Sequence, residues 1–189
     1  MPNTRKLDLR MVCGHRGDLG LPLLDEIYRL RYDIFRTQLG WDVTGDDGRE
    51  MDEYDTATTY YVAAVDRDNR LLGTCRLRAT TGSYMVRDTF PSALGNLTPP
   101  SSPLIWEMSR LAVAPGQPFA EGFGPVATSV VAAALDLVGD LGGDTMLVFS
   151  HQDVERKIRA AGFTVRRVAP PIRIDGKACT AYTLPVGAR

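Results

Sequence analysis

Three groups of charged side chains lie between Arg31 and Arg110, each beside apolar residues. Arg31 stands among Leu24, Ile27, Ile34 and Phe35, with Trp41 beyond it; Asp52 and Asp55 follow three residues apart; and the run Trp106-Glu107-Met108-Ser109-Arg110 is written into a strand-like stretch. A buried charge costs several kcal/mol unless it is paired. Charges retained next to apolar runs therefore point to a built polar site. Arginine would supply planar forks for a carboxylate, and the acidic segment would favour a cationic group.

The elements around these residues define where they point. From Leu23 to Leu39 the apolar residues recur at helical spacing, with Gly40 as a stop. On that helix Arg31 falls in the middle of the apolar stripe and points inward. Its head either escapes to water past a packed stem or meets a carboxylate of the protein or of a ligand. Asp52 and Asp55 share the segment 42–55 with Asp46, Asp47, Glu50 and Glu53. Taken alone this run is explained by a solvated loop, and it lacks the spacing of an EF-hand calcium loop. Its place directly after the Arg31 helix lets a carboxylate turn back onto Arg31 or Arg76.

Alternation in 71–77 puts Leu72, Thr74 and Arg76 on one face, with Arg78 continuing it. In 104–113 the same rule places Ile105, Glu107, Ser109 and Leu111 on one face and Trp106, Met108 and Arg110 on the other. Glu107 and Arg110 cannot share a face in a regular strand. A β-bulge near Met108 and Ser109 is expected to bring them together, as bulges do beside active sites.

The remaining pattern supplies a frame. Weak alternation predicts a strand over 7–12, stronger alternation predicts strands over 58–65 and 70–79 joined by a turn at 66–69, and the Pro/Ser/Thr-rich stretch 80–103 reads as an irregular excursion. A buried helix over 125–141, a strand over 145–149, an amphipathic helix over 152–161 and a late hairpin around Asp175-Gly176 complete the chain. Helices and strands that alternate only in part predict one α+β domain spanning 1–189, a mixed sheet between helices.

Composition narrows the function. The chain has 189 residues, 44% hydrophobic and 24% charged, with a net charge of -1. Such a balance argues against a general nucleic-acid binder. Cys13, Cys75 and Cys179 match no disulfide framework or zinc spacing, so no metal is expected and a reducing cytoplasm is the expected setting. No apolar leader or spanning run is visible, so no stable membrane association is expected either.

Arg31, Phe35, Trp41, Asp52, Asp55, Arg76 in its Gly-x-x-Arg strand, Glu107 and Arg110 stand in the order found in one family. On these eight positions, and on the stretch from Asp88 to Pro91, the chain resembles the LuxI-type acyl-homoserine-lactone synthases of bacterial quorum sensing over roughly Tyr28 to Gly162. The resemblance implies a fold similar to the GCN5-related N-acetyltransferases, an α/β/α sandwich with a mixed, bulged central sheet. It also implies the reaction: an acyl chain passes from acyl carrier protein or coenzyme A to the amine of S-adenosylmethionine, a substrate and not a cofactor. Closure of the lactone then releases methylthioadenosine.

By the same resemblance Glu107, Ser109 and Arg110 are the expected catalytic residues, Glu107 as the base. Amides freed by the bulge would hold an oxyanion. Arg31, Phe35, Trp41, Asp52, Asp55 and Arg76 are the expected substrate-binding residues, with the aromatic rings facing the sulfonium. Met146, Leu147 and Phe149 would line the acyl chain; Leu147 stands where members making 3-oxo signals place a hydroxyl, which favours a plain chain. Acyl carrier protein is acidic, and Arg156, Lys157 and Arg159, with Arg166 and Arg167 beyond them, form the expected dock. The rival is an acetyltransferase acting on another amine. That class needs a glycine-rich pyrophosphate loop, which Ala120-Glu121-Gly122-Phe123-Gly124-Pro125 imitates only in part because Pro125 lacks a donor.

Overall fold

A computed structural model of the chain describes residues 8–116 and 123–187. Its frame is one mixed sheet. Strands β1 (Arg10–His15), β4 (Tyr60–Val65), β5 (Leu71–Ala79) and β6 (Ile105–Val113) run antiparallel in the order β1-β4-β5-β6, the small hairpin strands β2 (Gly45–Asp46) and β3 (Arg49–Glu50) standing apart. β6 then pairs in parallel with β7 (Thr145–His151), and the crossover between them is helix α3 (Pro125–Asp140). Beyond β7 lies β10 (Lys177–Pro185), which also pairs with β8 (Arg166–Arg167) and β9 (Ile172–Ile174).

Apolar residues on alternate strand positions give the sheet two covered faces. On one, Val130, Val131, Ala134 and Val138 of α3, with Ile158 of α4 (Gln152–Ala160), pack on Cys75, Leu77, Trp106, Met108, Met146 and Val148. Gly73 lets α3 come this close: a Cβ there would lie 2.8 Å from Val126 Cγ1. On the other face Leu24, Ile27 and Tyr28 of α1 (Leu21–Arg31) pack on Tyr61 and Ala63, and the short helix α2 (Met85–Asp88) helps cover Leu147 and Ala181. The result is the expected α+β sandwich, helices on both sides of a mixed sheet.

Three local expectations change. The first helix starts at Leu21, with Pro22 in its first turn where a missing N–H costs nothing, and it is α-helical only to Arg31. From Tyr32 to Gln38 it widens into a π-helix, with the Leu39 amide donating to Ile34 O at 3.0 Å. The acidic segment is not all loop, because β2 and β3 form a hairpin across Asp47 and Gly48, both at positive φ (49° and 72°). The 80–103 excursion holds α2 and a 3-10 turn at Pro91–Leu94. Part of the expected first strand, at Leu7, and Ala120 to Gly122 of the glycine-bearing loop lie outside the described residues.

Candidate active site

β6 carries the decisive irregularity. Arg76 pairs with Ser109 and Thr74 with Ala112, so Arg110 and Leu111 together oppose Cys75. This is the bulge expected near Met108 and Ser109, its doubled residues being Arg110 and Leu111. Arg110 takes a φ of 54°, a left-handed conformation that costs a non-glycine residue energy and is common at functional sites. Downstream of the bulge the alternation changes phase: Leu111 and Val113 join Trp106 and Met108 on the α3 face, while Ala112 packs with Leu30 and Phe35 of the α1 side. Arg110 thereby turns to the face that holds Glu107 and Ser109.

On that face the arginines meet the carboxylates. Arg31 donates through Nε to Glu50 at 2.5 Å and through Nη1 and Nη2 to the two oxygens of Asp55, each at 2.8 Å. Arg76 pairs through Nη1 with Asp52 and, at 3.1 Å, with Asp55, and its Nε donates to Ser109 Oγ at 3.1 Å. Arg110 reaches Glu50 at 3.1 Å and Asp52 at 3.0 Å. The order Arg31, Glu50, Arg110, Asp52, Arg76, Asp55 closes back on Arg31 as a ring of alternating charge. Arg31, Arg76, Glu50 and Asp55 are essentially inaccessible to solvent. Tyr61 OH donates to Asp55 at 2.6 Å from below, and the Asp52 amide donates to it at 2.9 Å.

The ring answers the question left open for Arg31: its partners are carboxylates of the protein, and all three of its nitrogens are occupied. Arg76 differs, because among the described residues its buried Nη2 finds no acceptor. Glu50 went unrecognised in the sequence because the acidic run around it reads as solvated; the Asp47-Gly48 pair, a hairpin signal, was the available cue that Glu50 turns inward.

Phe35 lies beneath the Arg110 guanidinium, 5.4 Å from ring centre to Cζ, and stacks on Trp41 at 5.1 Å and 19°. Trp41 meets the ring of His151 edge-on at 5.9 Å. His151, at the end of β7, was also missed. Burial and Lys177 push its pKa below the usual histidine value.

Glu107 stands outside the ring. It is buried and accepts the Met85 amide at 3.0 Å and the Val86 amide at 2.6 Å. Burial raises its pKa above the ordinary glutamate value, against those amides and the charge of Arg76. Arg110 Nη1 lies 3.4 Å from Met85 Sδ, so Met85 links Glu107 to Arg110.

Beside this face the sheet parts. β6 and β7 are paired only from Ile105/Thr145 to Met108/Val148; thereafter β6 follows β5 and β7 follows β10. Leu147 packs with Tyr84, Val86 and Leu94 on the site's side of the sheet, with Phe149 against Phe90 at 5.1 Å. Met146 points to the α3 face. On α4, Arg159 and the nearby Arg167 both pair with buried Glu155, at 2.9 and 2.8 Å, Arg156 pairs with Asp153, and Lys157 is exposed.

The sequence pattern that describes the autoinducer synthases matches residues 21–189 of the chain. This chain belongs to the autoinducer synthase family. An acyl-homoserine-lactone synthase of Acinetobacter nosocomialis is 31% identical over 183 residues, 94% of this chain and 100% of that protein. Among solved structures, the acyl-homoserine-lactone synthase LasI superposes with a TM-score of 0.85 at 30% identity, covering 95% of this chain and 90% of LasI. BjaI, a CoA-dependent acyl-homoserine lactone synthase solved with S-adenosylmethionine and isopentyl-CoA, gives 0.82 at 28% identity, covering 95% of this chain and 83% of BjaI. A Lactobacillus plantarum protein described as an N-acetyltransferase gives 0.65 at 14% identity, covering 95% and 99% of the two chains, a likeness of fold alone. The fold expected from the sequence is therefore the fold of the family.

The ring sets an acid limit on stability. Burial disfavours the Asp55 carboxylate, but hydrogen bonds and charge from Arg31, with Arg76 and Tyr61, hold its pKa far below the ordinary aspartate value. A depressed folded pKa gives stability that is present above the unfolded value of about 4 and is lost as the pH falls below it. Urea unfolding of the wild type should lose stability steadily below about pH 4. Asp55→Asn should be less stable by about 3–5 kcal/mol at pH 7, because a buried pair loses one partner, and its loss of stability on acidification should be smaller.

Proposed function

We propose that this synthase makes an acyl-homoserine lactone by a division of labour between the charged ring, Glu107 and the gap between β6 and β7. The observation that carries the reading is the placement of all three on one face, with the bulge at Arg110 joining them.

S-adenosylmethionine brings a sulfonium, an amine and a carboxylate. Trp41, partly exposed and braced by Phe35, offers its face to the sulfonium. The free Nη2 of Arg76 is the donor best suited to the carboxylate, since the nitrogens of Arg31 are already bonded to Glu50 and Asp55. The acyl thioester enters the gap between the diverging strands, its chain directed toward Leu147 and Phe149. Met146, on the α3 face, takes no part in that wall.

The amine must be neutral to attack. Glu107, its pKa raised by burial, takes a proton from the amine through a water, and the nitrogen bonds to the thioester carbonyl carbon. Donors beside the bulge, Ser109 Oγ among them, face the developing oxyanion. The carbon–sulfur bond then breaks and the thiol leaves with a proton. The substrate carboxylate attacks the carbon next to the sulfonium, and methylthioadenosine departs as the lactone closes.

The donor is an acyl chain on coenzyme A or on acyl carrier protein. For the protein-borne donor the contact surface is the exposed side of α4, where Arg156 and Lys157 protrude and Arg159 is tied back to Glu155. The Leu147 side chain leaves the wall without a hydroxyl, in keeping with an unsubstituted chain.

Incubation with S-adenosylmethionine and mixed acyl-CoA and acyl-carrier donors, followed by mass spectrometry, should yield a lactone and equimolar methylthioadenosine. Glu107→Gln should lower kcat by about 10²–10⁴-fold. Lactone formation at the wild-type rate by that variant would sink the base assignment. In a separate assay, charge reversal at Arg156 and Lys157 should raise KM for the carrier-bound donor and leave KM for S-adenosylmethionine in place. Unaltered donor kinetics would refute the dock.

A further inference from the structure

Arg78 is a buried arginine that the mechanism above does not use. It lies on β5 directly opposite Glu107 on β6. Unlike Arg31, Arg76 and Arg110, it pairs with no carboxylate among the described residues. Its Nε donates to the Ser83 carbonyl at 3.1 Å, and its Nη1 lies against the hydroxyls of Thr56, Thr58 and Thr59, the last two at 3.0 Å. Thr59 in turn donates to the Tyr54 carbonyl at 2.6 Å. One guanidinium therefore ties the end of the acidic segment to the turn before α2.

That turn delivers the two amides that hold Glu107. Ser83 is two residues before Met85, and Met85 and Val86 are the donors to the two Glu107 oxygens. We propose that Arg78 is a positioning residue for Glu107: it fixes the Ser83 carbonyl so that the Met85 and Val86 amides are aimed at the carboxylate, and it places a cation without a carboxylate partner across the ladder from it. Glu107 is otherwise faced by Arg76 from β5, Asp52 from the acidic segment, Tyr84 from the turn and the apolar Leu147 from β7. Burial and the neighbouring Arg76 disfavour the charge on Arg78, while Glu107 favours it, as expected if the two are coupled. Loss of Arg78 would loosen the amides and remove a cation, and both changes make Glu107 hold its proton to higher pH.

The inference rests on Glu107 being the base. Protein labelled with ¹³C at glutamate carboxyl carbons reports the Glu107 titration by NMR, the resonance being identified by its absence from Glu107→Gln. In Arg78→Gln the Glu107 midpoint should rise by about one pH unit, a tenfold change in its ionisation constant. The acid limb of the kcat–pH profile should move to higher pH by the same amount, with KM for S-adenosylmethionine within about twofold of wild type, because chemistry and not binding is affected. Arg78→Lys, which keeps the charge and loses the fork, should lie between. A folded Arg78→Gln or Arg78→Lys protein with the wild-type midpoint overturns the positioning role, and so does failure of both variants to fold, which would make Arg78 a tie of the fold alone. Full lactone synthesis by Glu107→Gln is a different failure, since it removes the base itself.

Discussion

A closed ring of three arginines and three carboxylates is the constraint on which the site depends. Each member is shared by two neighbours of opposite sign, so no charge in the buried part of the ring lacks compensation. A single buried pair often gains little over apolar packing, whereas removing one partner is strongly destabilising because the other charge is left uncompensated. Closure adds to this, because deleting one carboxylate takes a partner from two arginines at once. The ring draws on the last residue of α1, the end of β3, the 52–55 turn, β5 and β6, which makes it a lock on the relative positions of all five. Sites that must hold a small zwitterionic substrate gain from such preorganisation.

Two backbone irregularities make the ring and its surroundings possible. The bulge in β6 re-aims Arg110 onto the face of Glu107 and accepts a left-handed arginine to do so. The π-helical end of the first helix sets Phe35 under that guanidinium and carries the chain on to Trp41, whose amide donates to Phe35 O at 2.9 Å. Such departures from regular geometry concentrate at functional sites, where surrounding packing over-determines them. Here the packing comes from Leu30, Phe35 and Ala112 together.

Much of this was legible in the residues. Periodicity placed the longer helices and strands within a few positions, but not α2, β2, β3 or β8, and the inward aim of Arg31 followed from its place in the apolar stripe. The incompatibility of Glu107 and Arg110 in a regular strand demanded the bulge. What stayed hidden has a common cause: side chains whose burial depends on distant segments. Glu50 looks like any solvated acid until a hairpin turns it under α1, and Arg78 looks like a strand-face charge until three threonines from another segment surround it. Met146 and Leu147 read as one apolar wall, yet strand alternation alone sends them to opposite faces. For Glu50 and Arg78 the local sequence can mark a turn or a strand face but carries no record of the distant partners, whereas alternation already separates Met146 from Leu147.

The central claim is that the ring is the prepared floor of the S-adenosylmethionine site and not merely a fold-stabilising cluster. Its most direct test is calorimetric titration of S-adenosylmethionine into the wild type and into Glu50→Gln, the side chain of Glu50 bonding, among the described residues, to the ring arginines Arg31 and Arg110, with folding checked by circular dichroism. The account predicts binding weakened by about tenfold or more, 1.4 kcal/mol, in a folded variant, because Arg31 and Arg110 lose the carboxylate that orients them. A folded Glu50→Gln protein that binds S-adenosylmethionine as tightly as the wild type would contradict it.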